Sequence, residues 1–302
     1  MKVIFMGTPD YAETILKKII DTDNIDVVAV FTQPDKPVGR KKILTPPPVK
    51  TLACENNIKV YQPTRLRDTD TIKELLKIDC NFIVVAAYGQ ILPREILDHA
   101  PCINLHASIL PAYRGASPIQ QALLNDDKKT GVTAMMMEEG LDTGDIIKIQ
   151  EIDLPKNMIV GELFDALTEV ACELTIDVLK NFNNYTPVKQ DDSLASHCAK
   201  VTKKDGEVNF SDANELYSKY RAYTPWPGVY LESGLKLKSI ELVEKCSLNY
   251  AGKILAIQKE SIIVGCKNGT IKINRVQPHS KKEMDAISYI NGKRLSIEDY
   301  LS

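Results

Sequence analysis

Over roughly the first 185 residues, short apolar runs alternate with segments whose apolar positions return at helical spacing. Lys2 to Met6 is the first run. Thr8 and Pro9 follow with N-cap and first-turn chemistry, and Ala12, Ile15, Leu16 and Ile19 then trace one face of a helix. Val27 to Phe31, Ile58 to Tyr61, Phe82 to Ala87 and Cys102 to His106 are further strand candidates. A helix is expected over Thr69 to Ile78, and another opening at Ser117 and Pro118. Strands that are apolar on both faces and separated by helices predict a mostly parallel sheet covered on both sides. Thr133 to Ile152 reads as strand, turn and strand, a hairpin continuing that sheet. Leu163, Leu167, Val170, Leu174 and Val178 mark one face of a long closing helix.

After Asn181 the pattern breaks. The stretch from Asn181 to Ser193 is polar, contains Pro187 and lacks apolar periodicity, as a linker does. Short strand-like pieces follow at Val229 to Leu231, Leu235 to Val243, Lys253 to Ile257, Ser261 to Val264 and Thr270 to Val276, punctuated by Gly or Asn. They predict a small all-β domain, for which an OB-type barrel is one option of the right size. The expected fold class is α/β: a Rossmann-like, mostly parallel N-terminal domain over 1–187, a linker over 188–203, and a smaller OB-type C-terminal β-barrel over 204–302.

With 44% hydrophobic and 26% charged residues, the chain falls in the soluble globular range, which sets aside disordered and fibrous classes. No apolar run approaches the ~20 residues that span a bilayer. The seven cysteines form no close pair, so a reducing, cytoplasmic setting is expected. No metal motif is present, His197 beside Cys198 being insufficient, and nothing in the sequence demands an oligomer, so a monomer is expected. A net charge of −2 offers no global attraction to nucleic acid, so any RNA partner needs a local basic patch.

The chemically informative stretch is Ile103 to Gln120, INLHASILPAYRGASPIQ. Asn104 and His106 are two apart, so on a strand they share one face. The strand must end there, because Ser108, Pro111 and Gly115 cannot easily continue it. Polar groups at the carboxyl end of a strand in an open α/β sheet stand where such sheets bind ligands. An Asn amide can donate to an oxygen that gains charge when a carbonyl is attacked, and a His can move protons near neutral pH. A carboxylate would complete the set, either Asp142 or Asp145 in the turn Leu141 to Asp145. The plainer alternative is a hydrogen-bonded structural pair beside an ordinary turn. The combination of polar residues on an apolar strand, at its carboxyl end, ahead of a Pro- and Gly-rich loop, favours chemistry.

This run, with LDTGD downstream, resembles the folate-dependent formyltransferases. Supporting segments are FMGTPDYA at the start, TQPDKPVGRKKILTPPPVK, AAYGQILP, and RAYTPWPG in the second half, so the likeness covers essentially the whole length. Tyr11 and Ile109 stand where the family often has Phe and Leu. The resemblance implies Asn104, His106 and Asp142 as the catalytic trio. It also implies a folate pocket contacted by Ser108, Ile109, Leu110 and Pro111 and lined by Gly89, Gln90, Ile91 and Leu92. Its formyl donor would be 10-formyltetrahydrofolate, with no metal required.

The acceptor is read from elsewhere. Gln33 to Lys50 carries Lys36, Arg40, Lys41, Lys42 and Lys50, with prolines at its flanks. Such a loop is usually solvated surface, but near the carboxyl ends of a sheet it could grip an RNA backbone. The resemblance implies that it holds the acceptor arm of initiator methionyl-tRNA, with Arg40 the foremost contact. Lys200, Lys203, Lys204, Lys267, Lys272 and Arg275 could track further phosphates. Trp226, between two prolines, is expected to pack at the domain junction. Rival readings are a formyltransferase acting on an amino sugar nucleotide, a formyl-folate hydrolase, and a non-enzymatic RNA-binding protein.

Overall fold

The computed structural model describes residues 1–39 and 41–301. The chain forms two units: Met1–Pro118, Lys129–Asp153 and Phe164–Cys198 in the first, and Ile119–Lys128, Leu154–Leu163 and the segment from Ala199 onward in the second.

From the N-terminus run β1 (Lys2–Gly7), α1 (Asp10–Ile20), β2 (Asp26–Phe31), β3 (Lys36–Val38), β4 (Ile43–Thr45), α2 (Pro48–Glu55) and β5 (Val60–Tyr61). Next come α3 (Thr69–Leu76), β6 (Phe82–Ala86), α4 (Arg94–Leu97), β7 (Cys102–His106), β8 (Arg114–Gly115) and α5 (Pro118–Leu124). They are followed by β9 (Lys129–Met136), β10 (Ile146–Asp153), α6 (Val160–Asn181) and β11 (His197–Cys198).

The first unit is built on a seven-stranded sheet ordered β10-β9-β7-β6-β1-β2-β5. All pairs from β7 to β5 are parallel, and β9 and β10 join antiparallel as the expected hairpin. Val3, Ile4, Phe5 and Met6 are all buried, which is why β1 reads as a continuous apolar run rather than an alternation. Ile4, Met6, Phe31, Ile83 and Val85 meet Leu75, Leu92 and Ile96 in one cluster beside the sheet. Each such side chain contributes about 1.5–3 kcal/mol on burial.

Three expectations need correction here. Thr8 does not cap α1: Pro9 occupies the cap position without a side-chain bond, and the Thr8 hydroxyl instead donates to the Tyr88 carbonyl at 3.3 Å. The basic loop is not irregular throughout, since β3 and β4 pair as a short antiparallel hairpin. The polar stretch read as a linker is ordered into the first unit as far as Cys198, where β11 pairs parallel with β8. Tyr185, Gln190 and Asp192 in this stretch hydrogen-bond to Asp177, Arg114 and Arg114 respectively, so polarity there does not mean looseness.

The second unit contains α7 (Ala213–Tyr223), β12 (Val229–Tyr230), β13 (Lys236–Leu248), β14 (Ile254–Ile257), β15 (Ile262–Gly265), β16 (Asn268–Gln277), β17 (Met284–Asp285) and α8 (Ala286–Lys293). Its sheet is antiparallel, ordered β12-β13-β16-β15-β14 with β17 on β16, and is compatible with an OB-type barrel. Leu237, Ile240, Ile262, Val264, Ile271 and Ile273 form its core with Leu216 of α7 and Ile290 of α8. The unit is therefore not all-β. Asp212 caps α7 by accepting from the Asn214 and Glu215 amides at 2.8 and 2.9 Å.

Candidate active site

Strand β7 sits between β6 and β9, with Asn104 opposite Val85 and Met135 and His106 opposite Thr133. Beyond His106 the chain leaves the sheet and curls back on itself. Thr133, fully buried, holds that loop twice: its hydroxyl donates to the Ser108 carbonyl at 2.6 Å and accepts from the Leu110 amide at 3.1 Å. Ser108 tightens the curl by donating to the Ala112 carbonyl at 2.6 Å. The loop thereby brings the Tyr113 carbonyl 2.9 Å from His106 Nε2. A carbonyl only accepts, so Nε2 carries a proton, and Nδ1 is the nitrogen left to exchange one.

Nδ1 faces Asp142, with Oδ2 3.6 Å away. The same carboxylate accepts from Asn104 Nδ2 through Oδ1 at 3.4 Å and from the Gly115 amide through Oδ2 at 2.9 Å. One carboxylate thus gathers the strand residues and a backbone donor, with the His106 side chain 7% and the Asp142 side chain 13% exposed. The two side-chain contacts are long for hydrogen bonds. Asp145, the competing carboxylate, is exposed, and its backbone carbonyl closes the hairpin by accepting from the Met136 amide at 2.8 Å.

Two glycines make this geometry accessible. A Cβ on Gly144 would lie 1.9 Å from the Met136 carbonyl oxygen, so a side chain there would force the Asp142 turn open. Gly115, at φ +118°, has Cys198 O 2.3 Å from its would-be Cβ, which lets β11 lie against β8.

Both halves of the chain match known family models. Residues 1–179 match the formyl transferase family, and residues 200–294 match the formyl transferase C-terminal domain. The chain belongs to the formyl transferase family. Among relatives, "Methionyl-tRNA formyltransferase" of Sulfurimonas denitrificans is 67% identical over 302 residues, covering 100% of both chains. The protein of the same name from Nitratiruptor sp. is 54% identical over 99% of each. Among solved structures, an N-formyltransferase from Helicobacter canadensis, in complex with folinic acid and dTDP-3-aminofucose, superposes with a TM-score of 0.69. At 19% identity, over 92% of this chain and 100% of that one, it speaks for the fold.

The remaining residues singled out from the sequence divide. Ser108 and Leu110 are buried in the loop after β7, while Ile109 and Pro111 are half-buried. In the other expected folate segment Gly89 is exposed and Leu92 belongs to the core, whereas Ile91 is 78% exposed. The Gln90 amide is committed to the backbone, accepting from Leu66 N at 2.7 Å and donating to Pro63 O at 3.1 Å. A cavity of about 430 Å³ is lined by Arg94, Leu97, Asp98 and Met137 to Gly140, and by none of the expected folate residues.

Lys36, Lys41 and Lys42 are exposed on the β3–β4 hairpin, and Arg40 lies outside the described residues. The hairpin is anchored at its base by Asp35, which accepts from Lys50 Nζ at 2.8 Å and Gln62 Nε2 at 2.7 Å. Those bonds, Gln62's first, hold the Asp35 carboxyl below its usual range. Lys203 and Lys204 are exposed in the second unit. Lys272 and Arg275 are not free cations, because Glu241 pairs with the first and Glu283 and Asp285 with the second. Trp226 is 60% exposed rather than packed. Among the described residues, no three His, Cys, Asp or Glu side chains gather as a metal site, and no helix is long and apolar enough to cross a membrane. Thr133, Arg114 and Gln190 carry no signal in the sequence, because their roles depend on distant partners.

Proposed function

We infer that this chain transfers a formyl group from 10-formyltetrahydrofolate to the amino group of initiator methionyl-tRNA, in the cytoplasm, for translation initiation. The observation that carries the reaction is the single Asp142 carboxylate facing Asn104, His106 and the Gly115 amide. The acceptor rests on full-length relatives named for methionyl-tRNA, together with an exposed basic hairpin for which a small amino sugar has no use.

The amine nitrogen attacks the formyl carbon, forming the new C–N bond and driving the carbonyl electron pair onto oxygen. Asn104 directs one amide N–H at Asp142, and its second N–H is available to the oxyanion. His106, its ring fixed by Tyr113, turns Nδ1 toward the same developing charge. Asp142 orients that imidazole and takes up the proton the amine sheds. Collapse breaks the bond from carbon to the folate nitrogen, and that nitrogen leaves with the proton that Asp142 had taken up. A donor already aimed at the oxyanion is worth about 10²–10³ in rate, because no reorganisation is needed as charge appears.

Ser108, Ile109, Leu110, Pro111 and Gly89 to Leu92 are assigned to the folate, and Lys36, Arg40, Lys41, Lys42, Lys203 and Lys204 to the tRNA. The protein acts as a monomer, with the expected catalytic part over 1–187 extended to Cys198 by the ordered polar stretch, and 204–302 as the tRNA-binding part. The test is incubation of purified protein with 10-formyltetrahydrofolate and methionyl-tRNA. Formyl-methionyl-tRNA should accumulate, and His106→Ala should lose at least about 100-fold in rate. Donor hydrolysis that is equally fast without tRNA contradicts the transferase reading.

A further inference from the structure

Gln190 lies in the polar segment before β11, yet its side chain is 5% exposed. Its amide nitrogen donates to two carbonyls of the catalytic turn, Asp142 O at 2.9 Å and Gly144 O at 2.8 Å. Its amide oxygen accepts from Arg114 Nε at 3.0 Å and a terminal guanidinium nitrogen at 2.8 Å. Arg114 is 4% exposed, and its charge is balanced by Asp192 at 2.8 Å. The next residue, Gly115, donates its amide to Asp142 Oδ2 at 2.9 Å. These bonds close a ring from the Asp142 carboxylate through Gly115, Arg114 and Gln190 back to the Asp142 main chain. Asp142 adopts φ +54°, in the left-handed region that Asp enters more readily than most residues, and the Gln190 bonds to its own carbonyl and that of Gly144 hold the turn there. Every polar atom of the Gln190 amide is spent on this ring, which neither packing nor solubility demands of a glutamine.

We propose that Gln190, fixed by Arg114, is a positioning residue that sets where the Asp142 carboxylate stands relative to His106 and Asn104. The proposal rests on the catalytic reading of that trio. It makes the segment before β11 a part of the active site rather than a tether.

Gln190→Glu separates the two arms. It keeps an acceptor for Arg114 but turns an oxygen toward the two turn carbonyls. A misplacement of about 1 Å costs up to 100-fold in rate. In steady-state formylation, kcat is expected to fall about 10- to 100-fold while both KM values stay within about threefold. Exchange of the Gly115 amide proton, followed by NMR, should speed up in the same variant as its acceptor moves. Gln190→Asn keeps the chemistry but cannot reach both sides, and it should show the same kcat loss; it carries the test if Gln190→Glu does not fold. A kcat near wild type in either folded variant, with Gly115 exchange unchanged, overturns the positioning role, provided His106→Ala is inactive. If His106→Ala also keeps its rate, the catalytic assignment itself is wrong.

Discussion

Replacing Thr133 by Val tests how the loop after β7 is held. The side chains are nearly the same shape, so the change exchanges a hydroxyl for a methyl and leaves its two partners without it. The lost hydroxyl strands two backbone groups, the Ser108 carbonyl it reached at 2.6 Å and the Leu110 amide it accepted from at 3.1 Å. Each unsatisfied buried group costs about 1–3 kcal/mol. The loop can shift to let one of them reach water, so the expected loss is at the low end, about 2 kcal/mol in unfolding free energy by urea titration. Were that cost to fall wholly on the loop conformation that binds donor, the apparent KM for the formyl donor would rise by at most about 30-fold. Thr133→Ser is the control, because it keeps both bonds and loses one methyl, worth about 1 kcal/mol. It should hold a KM close to wild type. A Val variant within about 0.5 kcal/mol of wild type, with unchanged KM, would show that the two bonds do not set the loop.

Other consequences follow from the same geometry. Changing Lys36, Lys41 and Lys42 together to Ala should lower the slope of log affinity for tRNA against log salt by up to about 2, and an unchanged slope would reduce the hairpin to solvated surface. Burial pushes the Cys102 and Cys266 thiols up to about 12, while Cys54 and Cys246 are exposed. A thiol reagent at pH 8 should therefore label the exposed pair first and the buried pair only on unfolding; early labelling of Cys102 would contradict this burial. The Glu215 amide, then the Asn268 side chain, holds the Asp212 carboxyl below its usual range. A lowered folded value means stabilisation that is complete above the unfolded value of about 3.9 and is lost as pH falls through the folded one. Asp212→Asn keeps the cap but should remove that part of the acid loss, and an acid limb identical to wild type would refute it.

The parallel sheet was legible because its strands are buried on both faces and leave unbroken apolar runs, as in Val3 to Met6 and Ile83 to Ala86. Asn104 and His106 were legible because they interrupt such a run two residues apart. Helix α7 was not, because its buried face includes Ser218 and Arg221, which erase the apolar period. Arg221 is accommodated there by Asp126 at 2.6 Å, a partner 95 residues away. Gln190 and Arg114 escaped notice for a similar reason. A glutamine in a polar stretch gives no sign of burial until the turn and β8 close around it. The β3–β4 hairpin was obscured by Pro37 and by lysines where a strand usually shows apolar alternation. Thr8 misled because its sequence offers a cap, while the fold had a better use for its hydroxyl at Tyr88.

The central claim is that the Asp142 carboxylate, with His106 and Asn104, carries formyl transfer. Single-turnover formylation of methionyl-tRNA by Asp142→Asn, at saturating donor, tests it most directly. Asn keeps the size of the side chain and an acceptor for the Gly115 amide, so the fold should persist while the charge is lost. The variant should run at least about 100-fold below wild type, with donor and tRNA still bound. A rate within about threefold of wild type would contradict it.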